Sequence, residues 1–357
     1  MSPARRRTLL FAGGLSLVAV VARGLEPPLS STLAADIARL SEATEASGVF
    51  TADNLISNER SYLEVAPALA ARHAQGGAYI GVGPDQNFSY IARVRPAVAY
   101  VIDIRRDNLL LHLLFKALFA EARTRAEYLC LLTGRAVPLG TERWRTAGLD
   151  EIVAHVDGST PWADGVEALR RRLDRTIAGF GVPLSRADFE TIARFHHTFV
   201  ADGLDLVFSS HGRAERRYFP ASRYPTLREL LTARASDGRQ WSYLASEDDF
   251  QFVKALEARD AVIPVVGDVS GPRALKAIGA AVAGRGERVS AFYISNVEAY
   301  LESDAAAARF IDNLSRLPRD GGSVMIRSVF KGGTSTSLVQ PIDQVLIEEA
   351  AASRVRR

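Results

Sequence analysis

The 357-residue sequence is poor in residues that cross-link a chain or bind metal, with 1 cysteine and 6 histidines. Cys130 excludes an internal disulfide, and its apolar surroundings favour a buried structural thiol over a nucleophile. His196 and His197 are adjacent, so on a helix they point about 100° apart and do not form the i,i+4 pair of zinc sites. We therefore expect no metal site.

The sequence also lacks a charge excess of either sign. Its net charge of +3 corresponds to Arg5, Arg6 and Arg7, without which the chain balances to zero. This excludes the basic field of a nucleic-acid-binding protein, so we expect no nucleic acid partner. Hydrophobic content of 47% and charged content of 24% are ordinary for a globular protein. Internal repeats are absent, and the length suits one large domain or two.

The apolar run from Thr8 to Ala22 is shorter than a typical membrane-spanning helix, which needs about 20 residues. It follows a basic start, as in a signal peptide. Arg6-Arg7-Thr8-Leu9-Leu10 also resembles the twin-arginine export pattern. We predict that residues 1–24 are a signal peptide or membrane anchor, with membrane contact confined to this segment. The protein is then periplasmic or anchored; the alternative is a start codon placed too early and a cytoplasmic protein.

Two apolar runs, Ala78–Val82 and Val98–Ile104, have the pattern of strands buried on both faces, and a short helix fits between them. Strands return within AVIPVVGD (261–268), VSAFYISNVE (289–298) and LPRDGGSVMIRSVF (317–330). Helices fit between these later strands. This alternation predicts an α/β fold with a doubly wound, mostly parallel, Rossmann-like sheet and a large helical insertion.

Domain boundaries follow from this pattern. We predict a Rossmann-like domain in two parts, residues 32–104 and 246–345, with a helical insertion at 105–245 and a tail at 346–357. Further helices are expected over 32–47, 57–74 (capped by Ser57) and 107–133. Ser185 and Ser246 each precede an acidic residue by three places, which predicts helix starts there. FKGGTSTS (330–337) is interpreted as a mobile loop.

Polar residues and glycines follow the predicted strands, at the sheet edge where α/β proteins bind ligands. They are Gly81, Gly83, Asp85 and Asn87 after the first strand, Asp103 after the second, Asp268 after the third, and Ser295, Asn296 and Glu298 after the fourth. Glycine lets a cofactor approach the backbone closely. An acid ending a buried strand needs a partner, such as a ribose diol for Asp103. Asp268 either accepts from an adenine amine or caps the following helix.

The dinucleotide fingerprint G-x-G-x-x-G fails here, because Gln86 stands at the third glycine. Pro84 removes a backbone donor, and Asp85 would repel a nearby phosphate. A pyrophosphate prefers an unobstructed helix N-terminus. A nicotinamide oxidoreductase is therefore disfavoured, and a ligand without a pyrophosphate is indicated.

Over about residues 55–105 and 260–330, the chain resembles class I S-adenosylmethionine-dependent methyltransferases. In that family a glycine turn follows strand one, an acid ending strand two takes the ribose hydroxyls, and polar residues after strand four face the substrate. The resemblance implies S-adenosylmethionine as cofactor, bound by Gly81, Gly83, Asp85, Asn87, Asp103, Asp268 and Ser295. The stretches SNE, GVGPDQNF, VIDIRR, IPVVGD and SNVE also resemble a group of uncharacterised bacterial proteins.

The segment SNVEAYL (295–301) supplies the expected catalytic residues Asn296, Glu298 and Tyr300. Asn296 would orient an acceptor and Glu298 would take its proton, although Glu298 also suits a helix start. SNER (57–60) offers further candidates in Asn58 and Glu59. The residues after Phe330 are too few, on this view, for both a terminal hairpin and a helix.

The sequence thus predicts an S-adenosylmethionine-dependent methyltransferase whose small-molecule or protein acceptor it does not identify. The helical insertion would form a lid or an acceptor pocket. The alternative is a non-catalytic Rossmann-like ligand-binding protein, exported from or anchored in the cytoplasmic membrane. The altered glycine loop favours this alternative, and the strand-end acids favour the enzyme.

Overall fold

In the computed structural model the described residues are 32–48, 52, 54–72, 76–160, 163–208, 224–301, 303–331 and 334–355. Ser31–Arg357 forms one compact unit. The predicted signal peptide or anchor, residues 1–24, lies outside the described residues. Among the helices that are described, none combines the length and the apolar character that a membrane crossing demands.

The fold is α/β, built on a mostly parallel sheet of six strands. The strands are β1 (Ala78–Val82), β2 (Val98–Asp103), β3 (Val262–Val266), β4 (Val289–Ser295), β5 (Val324–Lys331) and β6 (Thr334–Pro341). Their spatial order is β3-β2-β1-β4-β5-β6, and β6 runs antiparallel to β5 while the other neighbours are parallel. The chain builds outward from β1 to β3 and then returns to the other side of β1. The strand order therefore reverses between β1 and β4.

The predicted strands β1 to β4 are confirmed to within a few residues. They form because continuous apolar runs can be buried on both faces of a parallel sheet. Tyr79, Ile80, Tyr100 and Val101 accordingly have no exposed surface.

Helices occupy most of the chain between the strands. Their bounds are α1 (Leu33–Ala43), α2 (Ala66–Ala71), α3 (Gln86–Val94), α4 (Arg106–Glu121), α5 (Arg125–Leu132), α6 (Thr141–Thr146), α7 (Leu149–Gly158), α8 (Ala163–Gly179), α9 (Arg186–Asp202), α10 (Leu227–Thr232), α11 (Glu247–Ala258), α12 (Ala274–Gly284), α13 (Asp304–Ser315) and α14 (Ile342–Val355). Short 3-10 turns occupy Tyr62–Val65, Gly203–Asp205 and Val297–Tyr300. Ser185 and Ser246 begin α9 and α11 as predicted, each accepting a hydrogen bond from the backbone three residues on.

The single helix predicted over 107–133 is two helices, α4 and α5. The second begins separately because the Thr124 hydroxyl accepts a hydrogen bond from the backbone N of Glu127, 3.2 Å away. Helix α4 is buried continuously from Asn108 to Phe119 and packs against α8, α9, α11 and β3. A helix that is apolar on all sides belongs in the core. Cys130 in α5 is fully buried, which supports its interpretation as a structural thiol.

The helix predicted over 57–74 is much shorter, since α2 starts at Ala66 after a 3-10 turn. Pro67 near the start of α2 lacks the N–H that would continue a helix from the preceding turn. The Ser57 hydroxyl does not cap a helix but accepts from the backbone N of Glu59 at 3.1 Å. Residues 54–61 therefore form an irregular segment beside the sheet.

The C-terminal region departs most from prediction. Thr334–Pro341, part of which falls in the predicted mobile loop, is strand β6, paired with β5 from Val324↔Pro341 to Lys331↔Thr334. Its serine and threonine alternation lacks the apolar face that signals a strand. The tail predicted from residue 346 is helical as far as Val355. One strand, β6, and one helix, α14, follow β5, so the described sheet ends in a single antiparallel strand.

Candidate functional site

A cleft lies at the carboxyl ends of β1 to β4, beside the reversal in strand order, and encloses about 820 Å³ including its open mouth. This is the usual position of ligand sites in open α/β sheets. Of the ten predicted site residues, six line the cleft: Gly83, Asp103, Asp268, Ser295, Asn296 and Tyr300. The other four, Gly81, Asp85, Asn87 and Glu298, are not among its lining residues.

The Asn87 side chain stabilises the glycine turn after β1 by hydrogen bonds. The Asn87 amide nitrogen donates to the carbonyl oxygens of Val82, Gly83 and Pro84 at 2.9, 3.1 and 2.8 Å. Its amide oxygen accepts from the Tyr79 hydroxyl at 2.8 Å, and the residue has no exposed surface. Asn87 therefore fixes the turn and is not placed to contact a cofactor.

Gly81 and Gly83 are each required at their positions for a different reason. A Cβ added to Gly81 would lie 1.9 Å from the Asn87 side-chain oxygen, so Gly81 makes room for Asn87 and not for a ligand. Gly83 has a φ of +84°, a left-handed conformation that favours glycine, and it lines the cleft. The backbone of Gly83 is thus the part of the turn that a ligand can approach.

Asp85 is buried and is not among the residues that line the cleft. It is 7% exposed, and burial raises the pKa of its carboxyl to about 7. Because it does not line the cleft, its expected contact with the cofactor is not seen in this arrangement. Gln86, the residue after it, does line the cleft and has a buried side-chain oxygen without a hydrogen-bond partner.

At the end of β2, Asp103 already has a protein partner. Its Oδ1 accepts from the backbone N and Nε of Arg105 at 2.9 and 3.0 Å, and its Oδ2 accepts from Nη2 at 2.7 Å. The side chains of Asp103 and Arg105 are 11% and 8% exposed. Arg105 also donates to the Ala52 carbonyl at 2.9 Å. The pair therefore satisfies the hydrogen-bonding needs of Asp103, and Arg105 connects the chain at Ala52 to the end of β2.

After β3, the Asp268 carboxylate closes a turn by accepting from the backbone N and hydroxyl of Ser270 at 2.8 and 2.9 Å. The N-terminus of α12 is capped instead by Glu45. Its carboxylate accepts from the backbone N of Arg273 at 2.7 Å and of Asp268 at 3.2 Å. Asp268 therefore closes the turn that precedes α12 and does not cap the helix, and the residue also lines the cleft.

At the end of β4, the predicted residues separate into two groups. Ser295, Asn296 and Tyr300 line the cleft, and Tyr300 is 41% exposed. The Glu298 carboxylate is turned away and accepts from Arg327 Nε at 2.7 Å. Glu298 is thus not placed to take a proton from a ligand in the cleft.

Behind Ser295 lies Glu59, which has no exposed surface. Its carboxylate accepts hydrogen bonds from the hydroxyls of Ser295, Ser328 and Tyr293, the last at 2.9 Å. Burial is the main cause that raises the pKa of Glu59, and the three hydroxyls partly offset it. Gln86 links this group to the cleft, because its amide nitrogen donates to the Tyr293 hydroxyl at 3.3 Å.

The helical insertion also contributes to the cleft. Phe208 from the insertion lines the cleft together with Ile56, which precedes β1 in the chain. Both residues also line a second cavity enclosing about 470 Å³. The other residues of this second cavity are Leu55, Thr198, Asp202, Leu206 and Val207. A wall that includes two apolar side chains therefore separates the two cavities.

The histidines of the predicted helix have structural contacts. His196 is 3% exposed, and its Nε2 lies 3.0 Å from the carbonyl oxygen of Leu131. In the described part of the chain, no three residues of the His, Cys, Asp or Glu types are grouped to hold a metal ion.

The family model for a domain of unknown function, DUF7790, matches residues 55–138 and 205–345, together more than half of the chain. Apart from Asn54, all residues lining the cleft fall within these ranges, whereas α6 to α9 fall between them. The match thus includes the cleft and omits much of the helical insertion. No curated protein matches the chain.

Proposed function

The chain belongs to the DUF7790 family, and we propose that it binds S-adenosylmethionine in the cleft and transfers its methyl group to an acceptor. The observation that carries this proposal is the position of Asp103, at the end of β2 and beside the reversal in strand order. Cofactors that contain adenosine bind at this point in doubly wound sheets. The order β3-β2-β1-β4-β5, with an antiparallel strand next to β5, supports a methyltransferase-like Rossmann arrangement.

The charges in the cleft favour a sulfonium over a phosphate. Its lining carboxylates are Asp103 and Asp268, and its lining cation, Arg105, is bound to Asp103. The N-terminus of α12, where a phosphate would gain most, already holds the Glu45 carboxylate. A cofactor carrying a sulfonium and an amino group is compatible with these charges, whereas a pyrophosphate would meet repulsion.

Asp103 retains capacity for a ribose despite its ion pair. A carboxylate offers about four lone-pair positions, and Arg105 donates to two on Oδ1 and one on Oδ2. One position on Oδ2 is left for a ribose hydroxyl. Ile104 and Val269 line the same part of the site and supply apolar surface for an adenine.

Methyl transfer depends mainly on alignment of the acceptor with the sulfonium. Asn296 lines the cleft at the end of β4 and can orient an acceptor there. Phe208, from the helical insertion, supports the role of that insertion as one wall of an acceptor pocket.

A second candidate function is a non-catalytic ligand-binding protein. It is favoured by Glu298, the expected base, which is paired with Arg327 outside the cleft. An exported protein would also fit this candidate better, because S-adenosylmethionine is made in the cytoplasm.

Calorimetric titration of the full chain with S-adenosylmethionine, S-adenosylhomocysteine and NAD tests the proposal. We expect micromolar binding of the two adenosyl compounds and none of NAD. Asp103→Asn should weaken that binding about 10- to 100-fold, because it removes a hydrogen bond to a charged group. Asp150→Asn, an exposed carboxylate of α7, is the matched control and should change nothing. Binding without methyl transfer to any acceptor favours the second candidate, and no binding rejects the methyltransferase.

A further inference from the structure

Glu59 is unusual among the buried acids because hydroxyl groups, and no cation, surround its carboxylate in the described structure. A carboxylate buried without a cation normally needs several donors to stay ionised. Here the donors come from the ends of β4 and β5, next to the cleft. Such a group is a candidate for proton exchange with a ligand.

Ser295 connects this carboxylate to the cleft. Its hydroxyl donates to Glu59, while the residue itself lines the cleft. The Ser295 hydroxyl also lies 3.2 Å from Asn296 Oδ1, a second acceptor at the cleft. When its proton is directed at Glu59, the lone pairs of Ser295 Oγ can accept a proton from a ligand. Ser295 has a φ of +57°, a left-handed conformation that non-glycine residues rarely adopt. The end of β4 is therefore held in a strained geometry that places this hydroxyl between the carboxylate and the cleft.

We propose that Ser295 and Glu59 form a proton-accepting pair, in which Ser295 contacts the methyl acceptor and Glu59 receives the proton through it. The inference rests on the proposed function and adds the class of acceptor: a compound that bears O–H or N–H at the methylated atom. A thioether acceptor would have no proton to give and would not need the pair.

The step balances as follows. The acceptor oxygen or nitrogen attacks the methyl carbon, and the sulfur–methyl bond breaks with its electron pair staying on sulfur, which gives S-adenosylhomocysteine. The acceptor proton moves to Ser295 Oγ as the original Ser295 proton moves to Glu59 Oε1. The sulfonium charge and the carboxylate charge are both lost, so the net charge of the site is unchanged.

Glu59 is the group of its cluster that titrates, because the pKa values of the neighbouring tyrosines are raised. The titratable side chains that face it are Tyr79 from β1, Tyr90 from α3 and Tyr293 from β4, and the pKa of each is raised well above its ordinary value. Ser295 and Ser328 are its other hydrogen-bond partners. Burial moves the pKa of Glu59 upward, toward the range in which a general base works well near neutral pH.

The test compares wild type with Glu59→Gln and Ser295→Ala. Glu257→Gln is the matched control, since Glu257 is 3% exposed, has a burial-raised pKa of about 8, pairs with Lys116 and does not line the cleft. Calorimetry with S-adenosylmethionine comes first, with circular dichroism as the check on folding. We expect Glu59→Gln and Glu257→Gln to bind within about threefold of wild type, because neither residue lines the cleft. Ser295 does line the cleft, so Ser295→Ala is compared with wild type at a cofactor concentration that saturates both proteins.

Transfer is then measured from S-adenosyl-[methyl-³H]methionine to a phenol, a primary amine, a thiol and a thioether as probes. We expect wild type to methylate the phenol or the amine. Glu59→Gln should lower kcat about 100-fold or more and remove the acid limb of the pH profile, with KM for the cofactor unchanged. Ser295→Ala should also lower kcat and remove the acid limb of the pH profile, and Glu257→Gln should keep the wild-type profile.

Three outcomes overturn the inference: a wild-type pH profile in Glu59→Gln, methylation of the thioether alone, or no methylated O–H or N–H probe although wild type binds the cofactor. Absence of cofactor binding by wild type appears already in the calorimetry. That result rejects the proposed function and this inference together, so the two failures are distinguished.

Discussion

Two buried carboxylates stand on opposite sides of β1 at the cleft, and their partners differ. Asp103, after β2, is neutralised by Arg105 through three hydrogen bonds. Glu59, beside β4, has three hydroxyl partners, and no cation pairs with it in the described structure. A buried ion pair is costly to break, because loss of one partner leaves the other charge without compensation. Hydroxyl donors stabilise a carboxylate without fixing its charge, so Glu59 can gain and lose a proton.

The comparison assigns different tasks to the two sides of the cleft. The β2 side offers a constant charge distribution suited to binding. The β4 side offers a group whose charge can change during a reaction. Variants of acids with and without a cationic partner test this distinction.

The largest effect is expected from Asp103→Ala, which leaves the Arg105 guanidinium buried without its carboxylate. Loss of one partner of a buried pair costs about 3–5 kcal/mol of unfolding free energy. Urea denaturation monitored by circular dichroism measures it. The double variant Asp103→Ala/Arg105→Met should recover about half of the loss, because it removes the stranded charge. Equal losses in the single and double variants would show that the pair is not what stabilises this corner.

A smaller effect is expected from Asp85→Asn, which tests an acid without a cation away from the cleft. Burial raises the pKa of Asp85 to about 7, so the folded state binds a proton that the unfolded state has released above about pH 4. The contribution of Asp85 to wild-type stability therefore falls as the pH rises from about 4 to 7. We expect Asp85→Asn to gain stability relative to wild type over this window, by at most about 4 kcal/mol at about 1.4 kcal/mol per pKa unit.

Urea unfolding of both proteins at several pH values between 4 and 8 measures this gain. Only the difference between them is informative, because Glu59 and Glu257 titrate in both. Parallel stability curves would mean that burial does not raise the pKa of Asp85.

The smallest effect is expected from Glu298→Ala, which breaks an ion pair nearer the surface. The Arg327 and Glu298 side chains are 21% and 26% exposed. Pairs of this kind contribute about 0.2–1 kcal/mol. Thermal denaturation should show a slight loss, and affinity for S-adenosylmethionine should not change. A loss as large as that of Asp103→Ala would remove the distinction between buried and half-exposed pairs.

The sheet could be predicted from the sequence where burial leaves a local pattern. Strands β1 to β4 are continuous apolar runs, and their bounds follow directly from that. Strand β6 could not be found in this way, because its residues from Thr334 alternate between serine and threonine. Its pairing depends on β5, which lies beside it only in the folded chain.

The site was predictable in position but not in the direction of its side chains. Strand ends locate Asp103, Asp268 and Asn296 at the cleft. The same logic cannot tell that Asn87 turns beneath the loop or that Glu298 turns toward Arg327. Each depends on a contact that the strand pattern does not contain.

The contacts of Glu59 were equally hard to predict from the sequence. SNER marks it as a candidate, but its partners belong to β4 and β5, far along the chain. One signal was available: Tyr293 and Ser295 are two residues apart in a strand whose other residues, apart from Ser290, are apolar. Polar groups repeated on one face of a buried strand indicate a buried polar partner.

The strand order has a consequence for how the chain folds during synthesis. Strands β1 and β2 are synthesised close together and can pair as soon as both are made. The second partner of β1 is β4, which begins at Val289, and the second partner of β2 is β3, which begins at Val262. Until then both outer edges of this apolar pair lack neighbours, which is a state prone to aggregation. The helices made in the interval, above all α4 with its buried stretch from Asn108 to Phe119, are what can shield it. Folding of the sheet is therefore a late event, and chains ending before β3 would expose the residues that later form its centre.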